Sequence, residues 1–125
     1  MKSLKPLSFL LVLCLCFAQC NRSNKSIDGK WKLKSIDMNG SVLNEQMLEG
    51  SYWQFKGDKY TAAMLNIVDE GTYRIKEDSL FLKSETTKQR PETSYVIATA
   101  DSLNLELLTN TKNNLTKMSF ARQAD

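Results

Sequence analysis

Apolar and polar residues alternate along most of this chain, and that alternation limits its fold more than any other feature. Such a period of two places one face of a strand in a core and the other in water. Eight alternating runs follow one another, with apolar members Trp31/Leu33, Trp53/Phe55, Tyr60/Ala62/Met64, Tyr73/Ile75, Leu80/Leu82, Tyr95/Ile97, Leu103/Leu105/Leu107 and Met118/Phe120. The pattern predicts an all-β protein.

Short turns separate most of these runs, which indicates that neighbouring strands are antiparallel. Gly57-Asp58, Asp69-Glu70-Gly71 and Glu77-Asp78 are the expected turns. A sandwich would need longer crossovers. An eight-stranded meander can instead close into a barrel, in which the first and last strands pair and no edge strand remains. We therefore predict an eight-stranded antiparallel up-and-down barrel. Asn44–Gly50 is the one expected helix, with Met47-Leu48 capping one end.

The first residues have the layout of a secretory signal. Lys2 and Lys5 precede an apolar stretch of 12 residues from Leu7 to Ala18. A membrane-spanning helix needs roughly 20 apolar residues, so this stretch is too short to span. We assign residues 1–19 to a signal peptide, 20–28 to a tether and 29–125 to the barrel.

The three cysteines all lie in or beside this leader, at Cys14, Cys16 and Cys20. The segment Phe17–Cys20 resembles a lipobox, the site where bacterial lipoproteins are cut and acylated. The resemblance implies a palmitate-bearing Cys20 that anchors the protein to membrane. It also implies a periplasm-facing outer-membrane location, because no acidic run follows and Asn21 is not an Asp-type retention signal. Ordinary cleavage after Ala18 is the alternative.

Charge and composition exclude several classes of function. Without Lys2 and Lys5 the chain has 15 Lys and Arg against 14 Asp and Glu, interspersed, so no nucleic-acid partner is expected. There is no histidine, which excludes Ser-His and Cys-His nucleophiles and His-ligated zinc. The acidic pairs Asp69/Glu70 and Glu77/Asp78 read as solvated turns. We expect no catalytic residue, no metal and no cofactor.

Several short motifs resemble the lipocalin-like domains of small bacterial lipoproteins. These are Gly29-Lys30-Trp31 in the first strand, Trp53-x-Phe55 before Gly57-Asp58, Gly71-Thr72-Tyr73, and Arg122 in the last strand. The resemblance covers residues 28–122. It implies that Arg122 lies across Trp31 and closes the barrel, a structural role. The chain departs from many lipocalins in being shorter and in having no Thr-Asp-Tyr segment.

Two functions remain open. As a carrier, the barrel would hold a small hydrophobic ligand against the inward residues Trp53, Phe55, Tyr60, Met64, Tyr73, Leu82, Tyr95, Leu105 and Met118. The same residues could instead simply fill the core. As an adaptor or inhibitor, the protein would bind an unidentified protein partner through the basic face Lys30/Lys32/Lys34 or the loop 84–92. A solvated strand face is the alternative for those lysines.

Overall fold

The computed structural model describes residues 26–111 and 114–124, and within these ranges the chain forms strands and turns. The predicted signal peptide and Cys20 lie outside the described residues. The strands are β1 Gly29–Met38, β2 Ser41–Leu43, β3 Tyr52–Lys56, β4 Lys59–Met64, β5 Ile67–Lys76, β6 Ser79–Ser84, β7 Thr93–Ala100, β8 Asn104–Thr111 and β9 Asn114–Arg122.

Antiparallel pairing of neighbours in chain order closes the sheet into a barrel. The order runs from β1 through β3 to β9, and β1 pairs again with β9 from Trp31 to Met38. The short strand β2 lies beside Ile36–Met38, on the same edge of β1 as β3. The predicted eight-stranded antiparallel barrel is thus confirmed, with β2 as a small addition.

The two ends of the barrel carry different connections. The chain enters at the end that we call the tether end, which carries the turns Gly57-Asp58 and Glu77-Asp78 and the bend Asp101–Leu103. The opposite end, the far end, carries the turns Asn39-Gly40 and Leu65-Asn66 and the loop Glu85–Glu92.

The helix expected at Asn44–Gly50 is wrong. These residues form consecutive turns between β2 and β3. They interrupt what would otherwise be one long strand beside β1, and the ladder resumes where the Leu33 amide bonds the Ser51 carbonyl at 3.1 Å. Leu48 fills the gap and is buried in the core, while Met47 is exposed. Seven residues give too little helix to outweigh the strand pairing on both sides.

The turn expected at Asp69-Glu70-Gly71 is also wrong. These three residues lie inside β5, and the chain reverses earlier, at Leu65-Asn66. Gly71 serves a close approach instead, because a methyl group there would overlap the Lys83 carbonyl oxygen of β6. A glycine inside a strand often marks such an approach.

Register shifts in two strand pairs adjust which side chains face inward. They lie between Leu33 and Ser35 on β1 and between Ile97 and Thr99 on β7. An extra residue on one strand reverses the alternation. On β1 the next buried residue after Leu33 is therefore Ile36. Leu103, expected to continue the inward face of β8, precedes that strand and is 67% exposed.

The tether end is sealed by side chains. Arg122 lies over the Trp31 ring, with its guanidinium carbon 4.2 Å from the ring centroid. The Trp31 indole donates to the Ile27 carbonyl at 2.8 Å, and Ile27, which the sequence assigns to the tether, is itself buried. Gly29 has a φ of +127°, which L side chains rarely adopt, and a methyl group there would displace the Arg122 guanidinium.

Candidate ligand-binding site

All nine residues predicted to line the interior are buried or half-buried on strands of the barrel. Trp53, Phe55, Tyr60, Leu82, Leu105 and Met118 belong to the core cluster, and Met64, Tyr73 and Tyr95 pack against it. They are not one pocket. Phe55 and Tyr73 stack edge to face, with centroids 4.9 Å apart, and the Tyr73 hydroxyl donates to Asp28 near the tether end.

The half of the barrel nearer the tether end is filled with side chains. Trp31, Leu33, Leu80 and Leu105 have no exposed surface. A protein interior at this density leaves few voids larger than a water molecule. Phe55, Tyr73 and Leu105 therefore act as core residues. Any ligand has to approach the remaining predicted residues from the other half.

Trp53 is the one residue of the described chain with a buried side-chain polar atom that lacks a partner. The residue is 3% exposed, and its indole nitrogen has no hydrogen-bond acceptor. The ring packs between Tyr95 and Phe120, with centroids 5.6 Å and 5.3 Å away. Leaving such a donor unsatisfied costs about 1–3 kcal/mol.

A polar group, the Asp69 cluster, interrupts the apolar lining. It consists of Tyr60, Asp69, Ser84 and Arg90. The Asp69 carboxylate accepts from the Tyr60 hydroxyl at 2.9 Å, the Ser84 hydroxyl at 2.5 Å and the Arg90 guanidinium at 3.3 Å. Gly71 faces both Tyr60 and Ser84 in the strand ladders, so its missing side chain leaves room for them to converge.

The two tyrosines near this cluster keep their hydroxyl protons. Burial, followed by the Asp69 carboxylate, raises the pKa of Tyr60 well above its usual value. Burial also raises the pKa of Tyr95, with Arg90 opposing the shift and Asp69 adding to it. Both therefore act as neutral hydrogen-bond donors at physiological pH. Tyr60 donates to Asp69, whereas the Tyr95 hydroxyl has no partner within the described residues.

A cleft opens in the barrel wall beside Tyr95. The ladder between β7 and β8 ends toward the far end at the pair Val96–Leu108. Both strands continue beyond that pair, β7 to Thr93 and β8 to Thr111, and each stays paired with its other neighbour. The two strands therefore separate, and backbone groups on their facing edges are left without a strand partner.

This Tyr95 cleft has a volume of about 400 Å³, within the range of small-molecule sites. Apolar and hydroxyl side chains line most of it, and Arg90 and Glu92 are its charged members. The lining consists of Ser79, Phe81, Arg90, Pro91, Glu92, Thr93, Ser94, Tyr95, Val96, Leu108 and Thr109. Tyr95 joins the cleft to the interior, because its ring also contacts Trp53.

Sequence reasoning missed Asp69, Ser84 and Arg90. The composition of the Asp-Glu-Gly triplet favours a turn, whereas the alternation of the following residues predicts a strand. Tyr73 and Ile75 face inward on β5, and counting back by twos places Gly71 and Asp69 on the same face. Nothing in the sequence indicates Arg90, which reaches Asp69 only because the loop 85–92 folds against β5.

The basic face of β1 is engaged in ordinary surface contacts. Lys32 and Lys34 both pair with Glu45, at 3.1 Å and 2.7 Å, and Lys30 lies 4.2 Å from the centre of the Tyr52 ring. Exposed pairs of this kind contribute little stability. In the residues that the structure covers, no acidic or cysteine side chains are grouped to hold a metal ion, and no helix is long enough to cross a membrane.

No protein-family model and no curated protein matches this chain. Among solved structures, an uncharacterised protein from Bacteroides eggerthii superposes with a TM-score of 0.63 at 15% identity, covering 78% of this chain and 100% of that one. A lipocalin-like protein from Bacteroides uniformis superposes with a TM-score of 0.61 at 16% identity, covering 78% and 98%. The fold is lipocalin-like. At these identities the likeness establishes the fold alone.

Proposed function

We propose that this protein is an outer-membrane lipoprotein, anchored through Cys20 and facing the periplasm, whose lipocalin-like barrel binds a small hydrophobic ligand. Two or more acyl chains on Cys20 would hold it stably on the membrane. The ligand would occupy the Tyr95 cleft and the adjoining interior. Catalysis is not part of the proposal.

The unpartnered Trp53 indole carries the ligand-binding proposal. Most buried polar groups in proteins have a partner, so an orphaned donor calls for an acceptor that the protein itself does not supply. Trp53 contacts the ring of Tyr95, and Tyr95 lines a cleft that is open to solvent. A ligand carbonyl or ether oxygen that reaches it would recover about 1–3 kcal/mol.

The test uses the full chain with Cys20→Ala, which needs no detergent to compete for the site. We expect the neutral fluorophore N-phenyl-1-naphthylamine to brighten on binding and to quench tryptophan emission, since Trp53 adjoins the cleft. In Trp53→Phe, which retains Trp31, the quenching should largely disappear. No brightening at saturating fluorophore would contradict the carrier.

A protein-binding adaptor is the second candidate, and one observation favours it. Six large apolar side chains are exposed around the far end: Met38, Val42, Leu65, Ile67, Val68 and Leu115. Exposed apolar patches often mark interaction sites. In the fluorophore test an adaptor would give brightening without Trp53 quenching, and Ile67→Lys would abolish that brightening.

A further inference from the structure

The geometry points to an anionic amphiphile as the ligand, with its head group held by Arg90 and its apolar chain lying along the Tyr95 cleft. This inference rests on the proposed function and adds the ligand class, the route of entry and the residue that binds the charged head group.

Entry from the side follows from where the barrel is open. The tether end is sealed by Ile27, Trp31 and Arg122, and the half of the interior next to it is packed. Between β7 and β8 the ladder ends at Val96–Leu108, although both strands continue. The cleft therefore exposes Tyr95 directly to solvent, and Tyr95 contacts the ring with the unpartnered indole.

Arg90 can turn toward an anion without leaving the Asp69 carboxylate unpaired. Its guanidinium is half exposed and makes one hydrogen bond within the described residues, at 3.3 Å to Asp69. A guanidinium has five N–H donors in a planar fork that suits carboxylates and phosphates. Asp69 also accepts from Tyr60 and Ser84, so it stays hydrogen-bonded if Arg90 turns toward a ligand.

The other charged groups around the cleft do not compete for Arg90. Glu92 is paired with Arg74 at 3.0 Å, and Arg74 in turn lies over the Phe81 ring at 4.0 Å. Lys83 donates to the Arg90 carbonyl and adds a second positive charge near the loop. The balance of charge at Arg90 thus favours an incoming anion over a cation.

Apolar side chains on the outer face of the barrel continue from Arg90 along the cleft. Phe81, Pro91, Val96 and Leu108 form its apolar lining, and its volume of about 400 Å³ fits a medium-length chain. Tyr95 lines the same cleft as Arg90, and its hydroxyl has no partner within the described residues, so it is available to donate to the head group. One charged end and one apolar end describe an amphiphile such as a fatty carboxylate.

Decanoate and decanol test the inference, because they share a chain and differ in head-group charge. Each would displace N-phenyl-1-naphthylamine from the full chain with Cys20→Ala. We expect Arg90→Gln to lower the affinity for decanoate about tenfold or more, in line with a lost charged hydrogen bond. The affinity for decanol should change by less than about twofold. Arg90→Lys should restore part of the decanoate affinity.

Lys117→Gln is the matched control, since Lys117 is as exposed as Arg90 and pairs with Glu106 at 3.2 Å on the outer face. It should leave the affinities for decanoate and decanol unchanged. Equal decanoate affinity in the parent and in a folded Arg90→Gln, with decanol still bound, would overturn the anionic class and leave the carrier standing. Failure of both ligands and of the fluorophore would overturn the proposed function as well.

The route of entry has its own pair of variants. Thr109→Phe fills the Tyr95 cleft and should weaken both ligands, while Val42→Phe adds the same bulk at the exposed far end and should weaken neither. The reverse pattern would place entry at the far end and overturn the cleft. Urea midpoints of all variants confirm that each is folded.

Discussion

Arg122 makes three contacts, and the sequence predicted only the one with Trp31. It covers the Trp31 ring, donates from Nε to the Ser102 carbonyl at 2.7 Å and donates from Nη1 to the Asp28 carbonyl at 2.9 Å. These contacts join the chain entry, β1, β9 and the bend before β8. Gly29 suits this site because its φ of +127° strains other residues and because a side chain there would push the guanidinium aside.

Arg122→Ala should therefore lower the free energy of unfolding by about 1–3 kcal/mol, from one cation–π contact and two hydrogen bonds. Arg122→Lys should recover little, because an ammonium cannot reproduce the fork. Urea unfolding followed by tryptophan fluorescence measures both. The control Lys117→Ala loses one exposed ion pair, and an equal loss there would argue against a special role for Arg122.

We expect Asp101 to make the stability of the fold depend on pH. Its Oδ1 accepts from the amides of Leu103 at 2.9 Å and Asn104 at 2.7 Å, and these bonds hold the Asp101 pKa below its ordinary value of 3.8. A folded-state pKa below the unfolded one gives stability that is complete above the unfolded value. It is lost as the pH falls from 3.8 through the folded-state pKa.

Asp101→Asn keeps both acceptor bonds but cannot titrate. The fall in Tm between pH 6 and pH 3 should consequently be smaller in this variant than in the parent. Asp58→Asn, at the β3–β4 turn, is the control, since its carboxylate accepts no backbone amide within the described chain. Identical falls in the Asp101 variant and the parent would refute the linkage.

At the level of elements, irregular positions place the functional groups. Gly71 allows β5 to approach β6, and the amides of Glu85 and Thr86 then both reach the Glu70 carbonyl, at 2.8 Å and 3.3 Å. This ties the start of the loop 85–92 to β5, and Arg90 on the same loop reaches Asp69. The early end of the β7–β8 ladder opens the cleft on the other side of that loop.

The segment between β2 and β3 offers a direct comparison of neighbouring residues. Leu48 is 2% exposed and belongs to the core cluster, while Met47 is 57% exposed. Leu48→Ala should cost about 2–5 kcal/mol in unfolding free energy, as for other buried leucines. Met47→Ala should change it by less than about 0.5 kcal/mol, as at other surface sites. Chemical denaturation of the two variants decides; similar costs would mean that the segment is not docked as described.

For the whole molecule, the chain enters at the sealed tether end, so a lipid on Cys20 would leave the Tyr95 cleft and the far end free. Palmitate labelling in a bacterial host should mark the wild type and Cys16→Ala alike and should be lost in Cys20→Ala. The wild type should fractionate with the outer membrane. Label retained in Cys20→Ala would end the lipoprotein proposal.

Local patterns predicted the strands well because each strand buries one face, so apolar and polar residues alternate along it. Trp53, Phe55 and Tyr60 were placed inward for that reason, and Trp31 and Arg122 were matched through the family resemblance. The turn at Asp69–Gly71 and the helix at Asn44–Gly50 were wrong for a common reason. In both, pairing with a strand distant in sequence outweighs local preference.

The sequence by itself determined the all-β class, the order of the strands and the inward face of each, since these depend on alternation and short turns. It also supplied the signal peptide and lipobox predictions. The Asp69 cluster, the unpartnered Trp53 indole and the Tyr95 cleft were decided only by the tertiary structure. Each depends on where separate strands stop pairing or come close, and those distances arise from closing the barrel rather than from any local run of residues.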